Sequence, residues 1–76
     1  MNNTRDEKRL IEFGMQIRKL RKAKKLTMKA LAFEADIELS QIHRIEKGKI
    51  NPTITTVLLL AETLAIHPSQ LFEYYK

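Results

Sequence analysis

Apolar residues recur along this chain at helical rather than alternating spacing, and they divide it into five segments. Leu10, Phe13, Ile17 and Leu20 form one stripe, which predicts a long helix ending near Lys24. Thr4 followed by Glu7 has the spacing of a capping box, so the helix is expected to start there. Residues 1–3 are expected to fray. Gly14, inside this helix, costs up to about 1 kcal/mol relative to alanine, which points to a neighbour that must come close. Thr27 is placed to cap a second helix, about Met28–Glu34, with Leu31 and Met28 inward and the small Ala32 at a close crossing. After the turn Ala35-Asp36-Ile37, a third helix runs from Glu38 or Leu39 to Lys47. Ile42 and Ile45 form its apolar side, and Gly48 ends it as a left-handed cap.

The remaining segments follow the same logic. Pro52 pushes Asn51 into extended geometry and Thr53 caps a fourth helix, Ile54 to Ala65. On a helical wheel Ile54, Val57, Leu58, Ala61 and Leu64 share its inner face, and Leu59 lies opposite, exposed. Pro68 at a first helical position starts a fifth helix, to Tyr75, after a turn at His67. The stretch ITTVLL alternates enough to suggest a strand, but the Thr53 cap and the surrounding helical spacing argue against one. The expected fold class is all-α, a single five-helix domain over residues 1–76, with helices 2 and 3 forming a helix-turn-helix.

Length and composition narrow the class of molecule. Seventy-six residues with 43% hydrophobic content suffice for one small core, and a chain of this size gains from association. The chain has no cysteine, so neither disulfides nor thiolate metal sites contribute, and a cytoplasmic location is compatible. The polar, acid-containing start is no signal peptide. The longest apolar run is far below the roughly 20 residues needed to span a bilayer. The net charge is +5, and its distribution says more. Residues 1–50 carry 13 Lys/Arg against 7 Asp/Glu, whereas residues 51–76 carry 1 against 2. A positive field confined to the half with the helix pair favours a polyanion; a solvated basic face is the plainer alternative. The run RKLRKAKK also sits where a helix C-terminus favours cations.

The third helix carries the candidate chemistry. Leu39, Ser40, Gln41, His43, Arg44 and Lys47 form an exposed row opposite its apolar side. In a basic domain such a row suits insertion into the DNA major groove. No triad-like or Gly-rich phosphate-binding arrangement appears, so catalytic residues are none and an enzyme is not expected. Two histidines without paired carboxylates give no metal site, and no cofactor is implied. His67 reads as a cap or turn residue, and His43 as a solvated surface group or a contact.

These residues together resemble the phage repressor/Cro-type helix-turn-helix family, often called the XRE family. The resemblance is carried by Ile17-Arg18-Lys19-Leu20-Arg21, Leu26-Thr27, Leu31-Ala32, Ser40, Ile42 and Arg44-Ile45-Glu46-Lys47-Gly48. It continues through Pro52-Thr53, Leu60-Ala61, Leu64-Ala65-Ile66 and Leu71-Phe72, covering about residues 10–73. It implies a lambda-repressor-like five-helix domain that regulates transcription as a homodimer on palindromic double-stranded DNA. In size the chain resembles the controller proteins of restriction–modification systems and stand-alone phage repressors.

The resemblance also implies roles. Leu39, Ser40 and Arg44 match base-contacting positions: Arg suits bidentate contact with guanine, and Leu39 can offer only apolar contact, for instance to a thymine methyl. Capping remains the alternative for Ser40, local packing for Leu39 and a phosphate contact for Arg44. Thr27, Gln41, His43, Lys47, Lys49 and Asn51 match flanking or phosphate-contacting positions. Arg21 and Glu46 match an internal salt bridge between helix 1 and the end of helix 3. Leu59, Leu71, Phe72, Tyr74 and Tyr75 are expected to form the dimer interface, in a C-terminal helix over residues 67–76; closure of the core by Leu71 and Phe72 is the alternative. RNA polymerase is a further partner the family allows, and no small-molecule effector site is evident. An antitoxin-type interaction module is the competing function.

Several residues depart from the family pattern. Met28 stands where the family usually has a phosphate-contacting Gln. Glu38 replaces the usual Ser or Thr before helix 3, which weakens that cap. Lys25, Asp36 and Ala65 replace glycine at helix ends, where a left-handed conformation costs roughly 1 kcal/mol each.

Overall fold

Four α-helices and one short 3-10 helix make up the structure, a computed structural model that describes residues 4–75 and side chains from Asp6 onward. α1 starts at Thr4 as expected, whereas the Thr4 side chain that would cap it and residues 1–3 lie outside what is described. The helices are α1 (Thr4–Ala23), α2 (Met28–Ala35), α3 (Leu39–Glu46) and α4 (Ile54–Thr63), and the 3-10 helix is Pro68–Phe72. Among the described residues there is no strand. No helix among them is long and apolar enough to cross a membrane.

The core forms where the apolar stripes meet. Phe13 and Ile17 of α1 pack with Leu31 of α2, Ile42 and Ile45 of α3, Val57, Leu60, Ala61 and Leu64 of α4, and Leu71. α1 lies against both α3 and the 3-10 helix, and α2 against both α3 and α4. Polar groups take part as well. Gln16 is buried, and its side-chain amide donates to the Gln70 carbonyl at 2.8 Å, fastening the C-terminal turn to the middle of α1. Burying that amide is acceptable because it is hydrogen-bonded.

Caps begin the helices as expected. The Thr27 hydroxyl accepts from the Ala30 N–H at 3.0 Å, and Thr53 accepts from the Thr56 N–H at 3.3 Å. His67 and Gln70 form a reciprocal capping box at the 3-10 helix. Glu38, before α3, makes no side-chain capping bond.

All four α-helices end in one way. The residues at φ 60 (Lys25), 57 (Asp36), 71 (Gly48) and 56 (Ala65) are left-handed. Each N–H bonds the carbonyl three residues back, and the following N–H bonds the carbonyl five back, as in Leu26 N–H to Arg21 O and Ile66 N–H to Ala61 O. This is a Schellman closure. At the three ends without glycine the next residue is Leu26, Ile37 or Ile66, each packed against the core. At Gly48 the next residue is Lys49, which has no such anchor, and a Cβ on Gly48 would lie 2.6 Å from the Ile11 backbone.

Two expectations fail in the C-terminal third. The fifth helix is a 3-10 helix of five residues, closed by bonds such as Gln70 N–H to His67 O at 2.9 Å. Pro68 brings no backbone N–H, and the His67–Gln70 capping box closes the turn through three-residue bonds. The buried face of α4 is also rotated. Val57, Leu60, Ala61 and Leu64 are buried, whereas Ile54 and Leu58 are 67% and 46% exposed and Leu59 is half-buried. At about 100° per residue Leu60 lies about 60° to one side of Val57 and Leu58 about 100° to the other, and the core occupies the Leu60 side.

Candidate nucleic-acid interface

α3 is held from behind. Ile42 and Ile45 are buried, and a Cβ on Gly14 would lie 2.6 Å from the Glu46 carbonyl oxygen and clash with that of Ile45. Backbone-to-backbone approach of this kind requires glycine. Beside it, Arg21 grips the end of α3. Its Nε donates to Glu46 Oε2 at 2.6 Å and its second terminal nitrogen to Oε1 at 3.0 Å. A third donor reaches the Leu26 carbonyl at 2.7 Å, which also holds the α1–α2 connection. Both side chains are buried. The planar fork of arginine fits a carboxylate in two bonds, which a lysine cannot do.

With its inner side fixed, α3 presents Leu39, Ser40, His43, Arg44 and Lys47 to solvent, with Gln41 half-buried. Residues four apart are neighbours on a helix, so Leu39 stacks by His43 and Ser40 by Arg44, and the two pairs lie side by side. They line a shallow cup of about 450 Å³ whose remaining wall is Met28 of α2. A second hollow of about 210 Å³ adjoins it, lined by Arg18, Arg21, Met28, His43, Glu46 and Lys47. Among the described residues its unpaired cations are Arg18 and Lys47, since Arg21 is engaged with Glu46. Lys49 is exposed just past the helix, and its N–H caps the Arg44 carbonyl at 2.8 Å.

The structure sorts the expected residues. Leu39, Ser40, His43, Arg44 and Lys47 fall around the two hollows. Thr27 is exposed at the start of α2 with its hydroxyl engaged in capping. Asn51 stands elsewhere: it borders an apolar groove of about 480 Å³ with Arg9, Leu10, Phe13, Pro52, Val57, Phe72, Tyr74 and Tyr75. Two residues were not singled out in the sequence for this surface. Met28 reads there as a lost contact, yet it divides the two hollows. Arg18 belongs with Arg21 three residues later on the same side of α1, a spacing that would have pointed to it.

The residues expected at a dimer interface divide in the same way. Leu71 is wholly buried and closes the core, so it has no surface to offer a second copy. Phe72 is half exposed and stacks on Phe13, ring centroids 5.5 Å apart. Tyr74 and Tyr75 meet edge to face at 6.1 Å. Burial, with Glu12 and Tyr75 nearby, raises the Tyr74 hydroxyl above the ordinary tyrosine value.

A helix-turn-helix family model (HTH_3) matches residues 17–71, from mid-α1 to the C-terminal turn. The chain belongs to this family. Helix-turn-helix proteins of this type are DNA-binding regulators of transcription, and the pair α2–α3 is the element that names them.

Relatives within the helix-turn-helix family sharpen the picture. Control protein C.BamHI of Bacillus amyloliquefaciens is 29% identical over 63 residues, covering 82% of this chain and 78% of that protein. The uncharacterized HTH-type transcriptional regulator RghRB of Bacillus subtilis is 42% identical over 55 residues, covering 71% of this chain but 40% of that protein. The crystal structure of the restriction-modification controller protein C.AhdI from Aeromonas hydrophila superposes with a TM-score of 0.84 at 36% identity, covering 87% of this chain and 96% of that one. An HTH_3 family transcriptional regulator from Vibrio cholerae superposes at 0.86 and 27% identity, with 92% of this chain matching 39% of that one. The chain is thus similar over most of its length to controller proteins, and to a part of longer regulators.

Proposed function

We propose that this chain acts as a homodimer on a palindromic operator, controlling transcription in the manner of restriction–modification controller proteins and regulating its own gene. The observation that carries the reading is α3. Its inner side is locked by Gly14 and by the Arg21–Glu46 pair, while its outer side is a polar and basic row headed by the apolar Leu39. A rigid helix with such a row reads base edges, and surrounding cations hold phosphates. In this reading Arg44 and Ser40 contact bases, Leu39 contributes apolar contact, and Gln41, His43, Lys47, Lys49 and Thr27 flank them. Asn51 contributes to the phosphate side only through its loop. The site of action is the cytoplasm, and a contact with RNA polymerase decides whether bound protein activates.

Dimerisation rests on the exposed C-terminal aromatics Phe72 and Tyr75 with half-buried Tyr74 beside them, and on half-buried Leu59 of α4. A two-fold dimer spaces two α3 helices about 34 Å apart, matching half-sites one DNA turn apart. The test is a footprint on DNA upstream of the chain's own gene at low and high salt. Two protected half-sites a turn apart, lost steeply with salt, are expected. No protection by folded protein would move the weight to the second reading. That reading is an antitoxin-type interaction module. Its specific support is the apolar groove bordered by Phe72 and Tyr75, together with Phe33, which is 86% exposed on α2. A neighbouring toxin gene would favour it, and a neighbouring methylase or nuclease gene the controller.

A further inference from the structure

The cup between α2 and α3 combines features that a plain DNA-facing row does not need. Its walls include two apolar side chains, Met28 and Leu39, set among Ser40, His43 and Arg44. Met28 is half-buried and packs on the core, so it forms a fixed wall. Leu39 is 46% exposed at the first position of α3, in a row otherwise polar. The adjoining hollow shares Met28 and His43 with the cup and carries Arg18 and Lys47. An apolar recess beside a cationic one suits a group that is apolar but attached to a polyanion.

The major groove offers one such group. The 5-methyl of thymine is its only apolar feature, and leucine or methionine can pack against it, whereas Arg binds guanine through O6 and N7. Leu39 and Arg44 are five residues apart, about 7.5 Å along the helix axis. With successive base pairs about 3.4 Å apart, that places their targets within about two base pairs of each other. The geometry points to the Met28–Leu39 cup as a subsite for a 5-methylpyrimidine lying within two base pairs of the guanine held by Arg44. The inference rests on the operator-binding reading and deepens it: the departure from Gln at position 28 replaces a phosphate contact by part of a methyl-reading wall.

The experiment begins with selection of bound duplexes from a randomised pool by the full chain. A thymine within two base pairs of guanine is expected in each half-site. Uracil is then substituted for that thymine, removing the methyl alone. Affinity should fall roughly fourfold per methyl, and about fifteenfold when both half-sites are changed. Leu39→Ala, at an exposed position, should bind thymine and uracil duplexes equally. Cytosine at this position should bind more weakly than 5-methylcytosine. Equal binding of thymine and uracil duplexes by the unaltered protein, or an enriched sequence lacking the thymine, overturns this inference and leaves the regulator reading intact. Enrichment of no sequence overturns both.

Discussion

The two ends of this molecule hold their helices by different means. At the α3 end the contacts are polar and geometric: a glycine against carbonyls, a two-bond guanidinium–carboxylate pair and a third bond to the Leu26 carbonyl. At the C-terminal end apolar side chains dominate, and several remain uncovered, including Ile54, Leu58, Phe72 and Tyr75. Hydrophobic burial stabilises without specifying direction, whereas hydrogen-bond geometry specifies one arrangement. The α3 end is held in one orientation, and the C-terminal end is the part that the proposed dimer would cover.

Substitutions can break this contrast, the largest effect first. Glu46→Ala leaves the Arg21 guanidinium buried and unpaired and should lower stability by about 3–5 kcal/mol in chemical denaturation. Wild-type stability would mean that α3 is held by its isoleucines alone. Gly14→Ala drives a methyl into the carbonyls ending α3 and should cost about 1–3 kcal/mol, with DNA affinity falling alongside. At the other end, Phe72→Ala removes the stack on Phe13, about 0.5–1.5 kcal/mol. Its larger effect should be on self-association, read by sedimentation at micromolar concentration. An unchanged dimer would place the interface elsewhere. Ala65→Gly relieves a left-handed alanine and should stabilise by about 1 kcal/mol or slightly less, visible as a raised Tm. Gly48→Ala should do the opposite, since Ile11 occupies the space.

Legibility in the sequence followed the same division. The α1 stripe, the Thr27 and Thr53 caps and the inward isoleucines of α3 could all be read, because each rests on spacing within a few residues. The left-handed ends at Lys25 and Ala65 could be located only through the family resemblance, whereas Asp36 stood in a readable turn and tolerates that conformation better than most residues. Their local signal is the apolar residue just after each turn rather than a glycine. The orientation of α4 was not legible: its run ITTVLLLA is apolar on nearly every side, so periodicity alone leaves the buried face open by one position. Tertiary contact with α2 and the C-terminal turn decided it. On the interface, the α3 row was legible from its polarity. The wall supplied by Met28 was not, because it depends on how close α2 lies to α3.

α1 joins the two ends. This single helix touches α3 through Gly14 and the C-terminal turn through Gln16 and Phe13, two points within one turn of each other. Among the described residues no hinge separates the surface proposed to read DNA from the surface proposed to pair two copies. In the proposed dimer the span between the two α3 helices is then a fixed gauge. An operator with one base pair inserted between its half-sites is expected to be twisted or bent on binding, because the described fold offers no joint between the two surfaces.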